Sequence, residues 1–207
     1  MFLQIDKKFT ELTSEEFINM LKSMNVKEIF VGKDFRFGKN AEGKISELKD
    51  YFDVHVVDIE NIDGEKISTQ RIADLIQNGE IKTANKLLGY NYKISGSVVH
   101  GKHIGTQIGF PTLNLKLSEN YVLPKFGVYK TICYVDNVPH TSISNVGIKP
   151  TLGGKEVTIE VHLIDFQKEV YGDVIDLEFV SFIREEKKFS SLEELKKQIQ
   201  KDIDEAF

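Results

Sequence analysis

A short segment of strand-like sequence carries two uncharged oxygen donors in an arrangement that suits a magnesium–phosphate complex. In Pro111-Thr112-Leu113-Asn114 the proline fixes an extended start, and residues two apart on a strand point the same way. The Thr112 hydroxyl and the Asn114 amide oxygen therefore face one side, where both could bind Mg²⁺ together with its phosphates. Because neither side chain is charged, the phosphates must supply the negative charge. Taken alone, these residues support an ordinary polar strand face equally well.

Glu160 is the candidate general base, because it belongs to a second segment with the alternating pattern of a strand. Between residues 156 and 163 the polar Thr158, Glu160 and His162 share one face, and apolar residues at the alternate positions share the other. A carboxylate on the polar face could accept a proton from an attacking hydroxyl. By itself, the alternation favours the commoner role of such a glutamate, which is a place on a solvated outer face.

Recurring glycines predict a loop whose backbone N–H groups can approach phosphate oxygens closely; they are Gly96, Gly101, Gly105 and Gly109. Glycine spacing alone favours a simpler interpretation, a flexible loop between strands. The segment 96–103 nearly matches the GxxxxGK[ST] phosphate-binding pattern, but His103 replaces the metal-binding hydroxyl and Val98-Val99 is typical of a strand. His100 and His103 have no obvious third ligand, so we interpret them as loop residues and not as a metal site.

Composition and charge exclude several classes of protein. The chain has 207 residues, with 27 lysines and arginines against 32 aspartates and glutamates and a formal net charge of −5. This balance, with a pI of about 5.6, argues against a dedicated nucleic-acid binder. No apolar run approaches the roughly 18 residues of a membrane span, no signal peptide is visible, and the lone Cys133 excludes an internal disulfide. We therefore expect a soluble cytoplasmic protein that binds neither nucleic acid nor membranes.

The first 90 residues alternate between helices and strands, which indicates parallel strand pairing with right-handed crossovers. The expected elements are a helix at 14–24 that opens with a capping box at Thr13 and Glu16, strand 26–31, helix 44–52, strand 54–58, and helices 68–78 and 80–88. A doubly wound sheet normally has more strands than this. We infer that part of an α/β domain is missing on the N-terminal side, and the open sheet edge favours self-association through this region.

From about residue 91 the pattern changes to short alternating strands and turns, which predicts a closed or nearly closed antiparallel barrel. Strands are expected at 93–100, 127–135, 138–145, 156–166 and 174–184, with Asp136-Asn137 as a hairpin turn. A second capping box at Ser190 and Glu193 opens a C-terminal helix that extends to about residue 205. The expected fold class is α+β: a partial α/β, Rossmann-like region (1–90) followed by a small antiparallel β-barrel with a C-terminal helix (91–207).

Taken in order, eight segments resemble the bacterial bifunctional riboflavin kinase/FAD synthetase family, and the resemblance covers nearly all of the chain. The segments are VGKDFRFG (31–38), ISTQRI (67–72), NKLLGYNYKISGSVVHG (85–101), GFPTLN (109–114), FGVY (126–129), NVGIKPT (145–151), EVHLIDF (160–166) and FIREEKKF (182–189). The resemblance implies a nucleotidyltransferase-type FMN adenylyltransferase region in the first half and a riboflavin kinase barrel in the second.

The resemblance also implies roles for individual residues. Thr112 and Asn114 match the family's element for Mg²⁺ and the nucleotide phosphates, and Glu160 matches the catalytic base that deprotonates the ribityl 5′-hydroxyl of riboflavin. The implied reaction transfers the γ-phosphate of ATP to riboflavin and releases FMN and ADP. The nucleotide- and flavin-binding residues that the resemblance implies are Gly101, Lys102, Gly105, Gly109, Phe110, Asn145 and Arg184.

Two substitutions and one absence depart from the family pattern. Leu113 stands where alanine is usual, and Thr106 stands where a basic residue near the phosphates is common. The HxGH loop of the family's adenylyltransferase region has no counterpart in this sequence, so we expect no FAD synthesis. Two rival functions remain: the full bifunctional enzyme, and a non-catalytic flavin-binding module. The joint presence of Thr112, Asn114 and Glu160 argues against the second, because a binding module needs no base.

Overall fold

The computed structural model describes residues 5–58, 61–62, 65–101, 104–151 and 154–207. The chain forms two compact units, Met1–Ile67 and Ser68–Phe207. The sequence interpretation places its domain boundary at residue 90 instead, after the two helices that follow Ser68. These helices bond to barrel strands, which is why they belong to the second compact unit.

The first unit is built around a parallel strand pair. Strand β1 pairs with β4 in parallel, and the short strands pair as the antiparallel hairpins β2–β3 and β5–β6. The parallel pairing predicted from the alternating pattern is therefore confirmed. In chain order the elements are α1 (Lys7–Thr10), α2 (Ser14–Ser23), β1 (Glu28–Gly32), β2 (Arg36–Phe37), a 3-10 helix (Lys39–Ala41), β3 (Gly43–Lys44), α3 (Ile45–Lys49), β4 (Asp53–Val57), β5 (Asn61–Ile62) and β6 (Glu65–Lys66).

Helix α2 begins at the capping box that the sequence predicts. The hydroxyl oxygen of Thr13 accepts a hydrogen bond from the Glu16 N–H at 3.2 Å, and the Glu16 carboxylate accepts one from the Thr13 N–H at 2.8 Å. The apolar face of the helix buries Ile18 in a small core with Phe37, Leu48 and other aromatic and aliphatic side chains. This core holds the helices of the first unit against its parallel strands.

The second unit is a closed six-stranded antiparallel barrel with a helix pair before it and a helix after it. The strand order around the barrel is β10-β11-β8-β7-β12-β9. Closure leaves no unpaired strand edge, and the predicted barrel is therefore confirmed. In chain order the elements are α4 (Thr69–Asn78), α5 (Ile81–Leu88), β7 (Tyr92–Val99), α6 (Ile104–Gln107), β8 (Leu113–Leu117), β9 (Gly127–Val135), β10 (Val138–Thr151), β11 (Gly154–Leu163), β12 (Val174–Arg184) and α7 (Leu192–Ala206).

The list of expected strands lacks a counterpart of β8 (Leu113–Leu117), and the bounds of the other strands differ mainly in the hairpin of β10 and β11. Strand β10 continues past residue 145 to Thr151, although Gly147 and Pro150 interrupt the strand-like sequence. Both residue types have low strand propensity, and cross-strand pairing with β11 overrides that preference here. The preceding turn matches the prediction: Asp136 and Asn137 have φ values of 51° and 63°, the left-handed backbone that a two-residue hairpin needs.

The barrel interior combines an apolar core with a cluster of hydroxyl groups. Thr131 Oγ1 lies 2.8 Å from the hydroxyl oxygens of both Ser142 and Ser144, and all three residues are fully buried. Because each buried hydroxyl has a partner, the cluster avoids the cost of an unsatisfied polar group. It also ties β9 to β10 from inside the barrel.

The helix pair α4–α5 is fastened to the barrel by Asn85. Its Nδ2 donates to the Phe179 carbonyl oxygen at 2.8 Å, and its Oδ1 accepts from the Tyr92 N–H at 2.8 Å. Helix α5 ends at Gly89, whose φ of 78° is the left-handed conformation that glycine adopts most easily. These bonds connect α5 directly to β12 and to the first strand of the barrel.

Tyr92 provides a test of the barrel's stability at alkaline pH. Its hydroxyl donates to the Val122 carbonyl oxygen at 2.7 Å, and burial raises the pKa of Tyr92 to about 12. In the unfolded chain this hydroxyl ionises near pH 10, whereas in the folded chain it stays neutral for longer. The folded state must therefore lose stability as the pH rises from about 10 towards 12.

We expect Tyr92→Phe to lower the free energy of unfolding by about 1 kcal/mol at neutral pH, because the hydrogen bond is lost. The variant should also lose less stability than the unmodified chain between pH 9.5 and pH 11.5, a range that begins just below the ordinary tyrosine pKa of about 10. Urea unfolding at a series of pH values measures both effects. Tyr90→Phe is the control, because Tyr90 is 64% exposed and its variant should follow the unmodified chain. Identical pH slopes for all three proteins would contradict the expectation.

Helix α7 begins one residue later than the sequence pattern suggested. Ser191 is the N-cap, and its hydroxyl oxygen accepts from the Glu194 N–H at 3.2 Å. The Glu194 carboxylate accepts from the Ser190 N–H at 2.9 Å. The predicted pairing of Ser190 with Glu193 is therefore wrong by one residue, because the sequence Ser-Ser-Leu-Glu-Glu contains the capping pattern in two registers.

Candidate active site

One residue from each of five strands forms a row across the barrel. Asn114 of β8 is opposite Glu160 of β11, Glu160 is opposite Asn145 of β10, and Asn145 is opposite Val128 of β9. Val128 is in turn in register with Arg184 of β12. Directly opposite residues on antiparallel strands place their side chains on the same face. The row therefore brings together Asn114, Glu160, Asn145 and Arg184, all of which the sequence analysis singled out.

The row lies on the outer face of the barrel. The residues next to Glu160 and Asn145 along their strands, Ile159, Val161 and Val146, are at most 1% exposed and belong to the interior core. Because successive side chains on a strand point to opposite faces, the row points away from that core. The alternation in the sequence predicted the outer position of Glu160, and the structure adds what lies beside it.

His162 anchors the residues that precede Asn114. Its Nδ1 is hydrogen-bonded to the Pro111 carbonyl oxygen at 2.8 Å, and its ring meets the Phe110 ring edge-on with centroids 5.3 Å apart. These contacts fix the approach to β8, so that Thr112 lines the same cavity as Glu160. The sequence analysis placed His162 on the face of Glu160 but gave it no role.

Two glycines allow the loop before β8 to lie directly on the candidate magnesium ligands. A Cβ atom at Gly101 would be 2.1 Å from the Asn114 Nδ2, and one at Gly105 would be 2.2 Å from the Phe110 carbonyl oxygen and 3.3 Å from the Thr112 Oγ1. Any larger residue would displace these neighbours. The sequence analysis explained the glycines by an approach to phosphate, and the structure shows a close approach to the protein's own site residues as well.

The other loop residues are placed as follows. Gly109 has a φ of 85°, and the Phe110 N–H next to it donates to the Gly105 carbonyl oxygen at 2.9 Å, which closes the turn after α6. Lys102 and His103 lie outside the described residues, so a role of Lys102 at the nucleotide stays a prediction. The His100 ring stacks on Tyr171 with centroids 4.0 Å apart. Within the described ranges, no group of three or more His, Cys, Asp or Glu side chains could hold a metal ion.

A cavity of about 260 Å³ opens on one side of the row. Its polar lining includes Thr112, Asn145, Glu160 and Arg184. Helix α7 and the segment between β12 and α7 form one wall. Most of the remaining lining is apolar, contributed by Ile108, Phe110, Val128, Ile143, Phe189, Leu195 and Ile199. Such a lining suits a flat, largely apolar ring system with a polar group directed at Glu160.

A second cavity, of about 530 Å³, is lined by other residues of β8 and β11. It is lined by Asn114 and Lys116 of β8, by Thr158 of β11, and by His100 and Gly101 at the end of β7. Neither α7 nor Arg184 contributes to it. Glu160 lines the first cavity and its direct cross-strand partner Asn114 lines the second, so the two cavities adjoin at this pair of residues.

Arg184 forms a paired ionic contact with the C-terminal helix. Its Nε and Nη2 donate to the two carboxylate oxygens of Asp202 at 2.8 Å and 2.7 Å, and its Nη1 donates to the Glu185 carbonyl oxygen at 2.9 Å. The Gln198 side chain adds a third donor to the Asp202 carboxylate at 2.8 Å. The sequence analysis counted Arg184 among the nucleotide- and flavin-binding residues but missed Asp202. The available signal was a charged residue on the same helix face as Leu195 and Ile199.

The segment after β12 crosses the row at Asn145. The Asn145 Nδ2 donates to the Glu186 carboxylate at 3.4 Å, which is a long hydrogen bond. A Cβ atom at Gly147 would be 2.2 Å from the same carboxylate oxygen, so a larger residue there would displace the end of the Glu186 side chain. Glu186 thus brings a second carboxylate into the cavity that Glu160 lines. The sequence analysis missed this contact, because it joins residues far apart in the chain.

Comparison with protein families assigns the two parts of the chain. A family model described as riboflavin kinase matches residues 88–207, and one described as FAD synthetase matches residues 1–73. A closed barrel that brings a carboxylate and uncharged oxygen donors to the junction of two cavities suits a small-molecule phosphotransferase. The chain belongs to the riboflavin kinase family.

Curated relatives extend the match over nearly the whole chain. The Listeria monocytogenes protein named bifunctional riboflavin kinase/FMN adenylyltransferase is 37% identical over 201 residues, which are 94% of this chain and 64% of that protein. The Bacillus subtilis protein of the same name is 37% identical, over 99% of this chain and 67% of its own length. The chain therefore spans about two thirds of the length of these relatives.

A solved structure shares the fold. The Streptococcus pneumoniae protein named Macrolide-efflux Protein has a TM-score of 0.88 and 34% identity, over 96% of this chain and 66% of that one. In the part of the chain that the structure describes, no helix is both long enough and apolar enough to cross a membrane.

Proposed function

We propose that this chain is a riboflavin kinase that transfers the γ-phosphate of ATP to the ribityl 5′-hydroxyl of riboflavin and releases FMN and ADP. The observation that carries the proposal is the position of Glu160. It lies in register between Asn145 and Asn114, where an apolar cavity meets a second, more polar one. The family match of residues 88–207 and the names of the relatives support the same reaction.

The two cavities suit the two substrates. The first has the apolar walls that an isoalloxazine ring requires, and its polar end at Glu160 would receive the ribityl chain. The second is larger and begins at Gly101 and Asn114, where the glycine loop lies against β8. We assign ATP to this second cavity, with its γ-phosphate directed towards the Asn114–Glu160 pair.

Glu160 is the proposed general base. The 5′-oxygen of riboflavin forms a bond to the γ-phosphorus, the bond from that phosphorus to the β,γ-bridging oxygen breaks, and ADP leaves. The proton of the 5′-hydroxyl passes to the Glu160 carboxylate as the new bond forms. Asn145, next to Glu160 on the flavin side, would orient the hydroxyl for attack. Phosphoryl transfer depends mainly on positioning and charge stabilisation, which a row on a rigid barrel provides.

Thr112 and Asn114 are the residues that would hold Mg²⁺. They fit the ion in two respects: both present neutral oxygen donors, and the glycines at 101 and 105 let the preceding loop pack closely against them. When bound with ATP, the ion would neutralise charge on the phosphates.

Chromatography of the reaction products tests this proposal. The purified chain is incubated with riboflavin, ATP and Mg²⁺, and the flavins are separated. We expect FMN to accumulate with time and in proportion to the protein added. A folded chain that binds riboflavin but forms no FMN would contradict the proposal and favour the rival function, a flavin-binding module.

The same chromatogram addresses adenylyl transfer. The 207 residues contain no HxGH sequence, although residues 1–73 match the FAD synthetase model. We propose that this chain alone converts no FMN to FAD, and we expect no FAD peak when FMN and ATP are supplied. Formation of FAD by the purified chain would overturn this second part of the proposal and leave the kinase assignment intact.

A further inference from the structure

Asp202 is the buried charged side chain of the second unit. Among the described residues, the fully buried polar side chains are those of Thr131, Ser142, Ser144 and Asp202, and Asp202 is 1% exposed. Burial of a carboxylate is costly unless it is paired and fully hydrogen-bonded. Such a residue on a helix at the edge of a ligand cavity therefore calls for a specific role.

Asp202 and Arg184 form a bidentate ion pair, the Arg184–Asp202 fork. Both of its oxygens accept from Arg184, through Nε at 2.8 Å and Nη2 at 2.7 Å, and Gln198 donates to one of them at 2.8 Å. The Arg184 side chain is itself only 14% exposed. A bidentate pair of this kind fixes orientation as well as distance. It therefore sets where α7 lies relative to the end of β12.

Both residues of the Arg184–Asp202 fork line the apolar cavity, and neither lines the second cavity. Leu195, Ile199 and Asp202 are one helical turn apart on α7, and all three line the apolar cavity. Arg184 lines the same cavity and is in register with Val128, next to Asn145 in the row. No residue of α7 lines the second cavity. A change at Asp202 should consequently alter the binding of the flavin and not that of the nucleotide.

We propose that Asp202 is a positioning residue for riboflavin: through Arg184 it holds α7 as the wall of the flavin cavity, and it does not touch the reacting atoms. The inference rests on the proposed function for the identity of the ligand. It adds a residue whose replacement should weaken the binding of riboflavin and leave that of ATP unchanged.

The first experiment compares Asp202→Asn with Asp204→Asn. Asn has the size of Asp but carries no charge, so the partly buried Arg184 loses its counter-ion. We expect the Kd for riboflavin, measured by flavin fluorescence without ATP, to rise about tenfold or more. The KM for ATP should stay within about twofold and kcat within about threefold. Asp204 lies on the exposed side of the same helix, bonded to Gln200 at 2.9 Å, and its variant should behave as the unmodified chain does.

A double-mutant cycle tests whether Asp202 acts through Arg184. Arg184→Lys keeps the positive charge but cannot form the bidentate contact with Asp202. It should therefore weaken riboflavin binding, as Asp202→Asn does. The double variant should bind riboflavin no more weakly than the weaker-binding single variant does, because both changes remove the same contact between Arg184 and Asp202. Multiplied effects on the riboflavin Kd would overturn the proposal. If Asp202→Asn does not fold, Arg184→Lys alone carries the same comparison of riboflavin Kd with ATP KM.

Hydrogen exchange separates this inference from the proposed function. The amides of α7 should exchange faster in Asp202→Asn than in the unmodified chain, whether or not any ligand is present. Unchanged exchange, or an unchanged riboflavin Kd, would overturn the positioning role while leaving kinase activity in place. A chain that binds riboflavin with the expected response to Asp202→Asn but forms no FMN would instead overturn the proposed function.

Discussion

Replacing Glu160 with glutamine is expected to lower kcat for FMN formation by about 10²–10⁴-fold, which is the usual contribution of a positioned general base. Glutamine keeps the size of the side chain and one acceptor oxygen, but it cannot take up the proton of the 5′-hydroxyl. The riboflavin Kd should change by less than about threefold, because the apolar walls of the cavity are untouched. Steady-state kinetics and flavin fluorescence measure the two quantities separately.

Glu186 supplies a comparison for this variant within the same cavity. Glu186→Gln makes the same change of charge close to Asn145, but Glu186 lies on the segment after β12 and not on the row. We expect it to cost less than about tenfold in kcat, since no proton transfer depends on it. If Glu186→Gln were as damaging as Glu160→Gln, the loss would reflect the charge of the cavity, and the assignment of the base would fail.

Replacing Asn114 with alanine is expected to reduce kcat/KM for ATP by about 10–100-fold. The substitution removes one of the two neutral oxygen donors that are proposed to hold Mg²⁺ near the start of β8, and it opens the close contact with Gly101. Raising the Mg²⁺ concentration should recover part of the loss, because a weakened site is filled by mass action. The riboflavin Kd should not change, since Asn114 lines the second cavity.

Ser118→Ala is the control for the Asn114 variant. Ser118 follows β8 directly and is exposed, and its hydroxyl donates to the Ser95 carbonyl oxygen at 2.9 Å. Loss of this hydroxyl alters the opposite end of the same strand without reaching either cavity, so the kinetics of the variant should match those of the unmodified chain. An Asn114→Ala protein with normal Mg²⁺ dependence and weakened riboflavin binding would show that Asn114 serves the flavin and not the metal.

Local sequence signals predicted the parts of the fold that depend on neighbouring residues. The capping box of Thr13 and Glu16, the left-handed turn at Asp136-Asn137 and the outward face of Glu160 all follow from rules that act over a few residues. The closed barrel followed from the number of short alternating segments, because such strands need partners on both edges. The family resemblance then supplied candidate roles, which stay predictions for the individual residues.

The contacts that complete the site could not be predicted from the local sequence pattern, because they join residues far apart in the chain. The register that aligns Asn114, Glu160 and Asn145 depends on barrel closure, and the fork between Arg184 and Asp202 depends on where α7 docks. The shift of the α7 cap to Ser191 has the same origin, because two registers satisfy the sequence and tertiary contacts select one. The boundary of the compact units at Ser68 likewise reflects the bonds of Asn85 to barrel residues, which the sequence does not reveal.

The central claim is that the row on the barrel transfers the terminal phosphate of ATP to riboflavin. The most direct measurement supplies the purified chain with riboflavin, Mg²⁺ and ATP that carries a radioactive label on either the γ- or the α-phosphorus. We expect label in a flavin that migrates as FMN with γ-labelled ATP, and none with α-labelled ATP. The absence of label from flavin with γ-labelled ATP would contradict the assignment of this chain as a riboflavin kinase. Label in a flavin from α-labelled ATP would show adenylyl transfer and would overturn only the proposal that this chain forms no FAD.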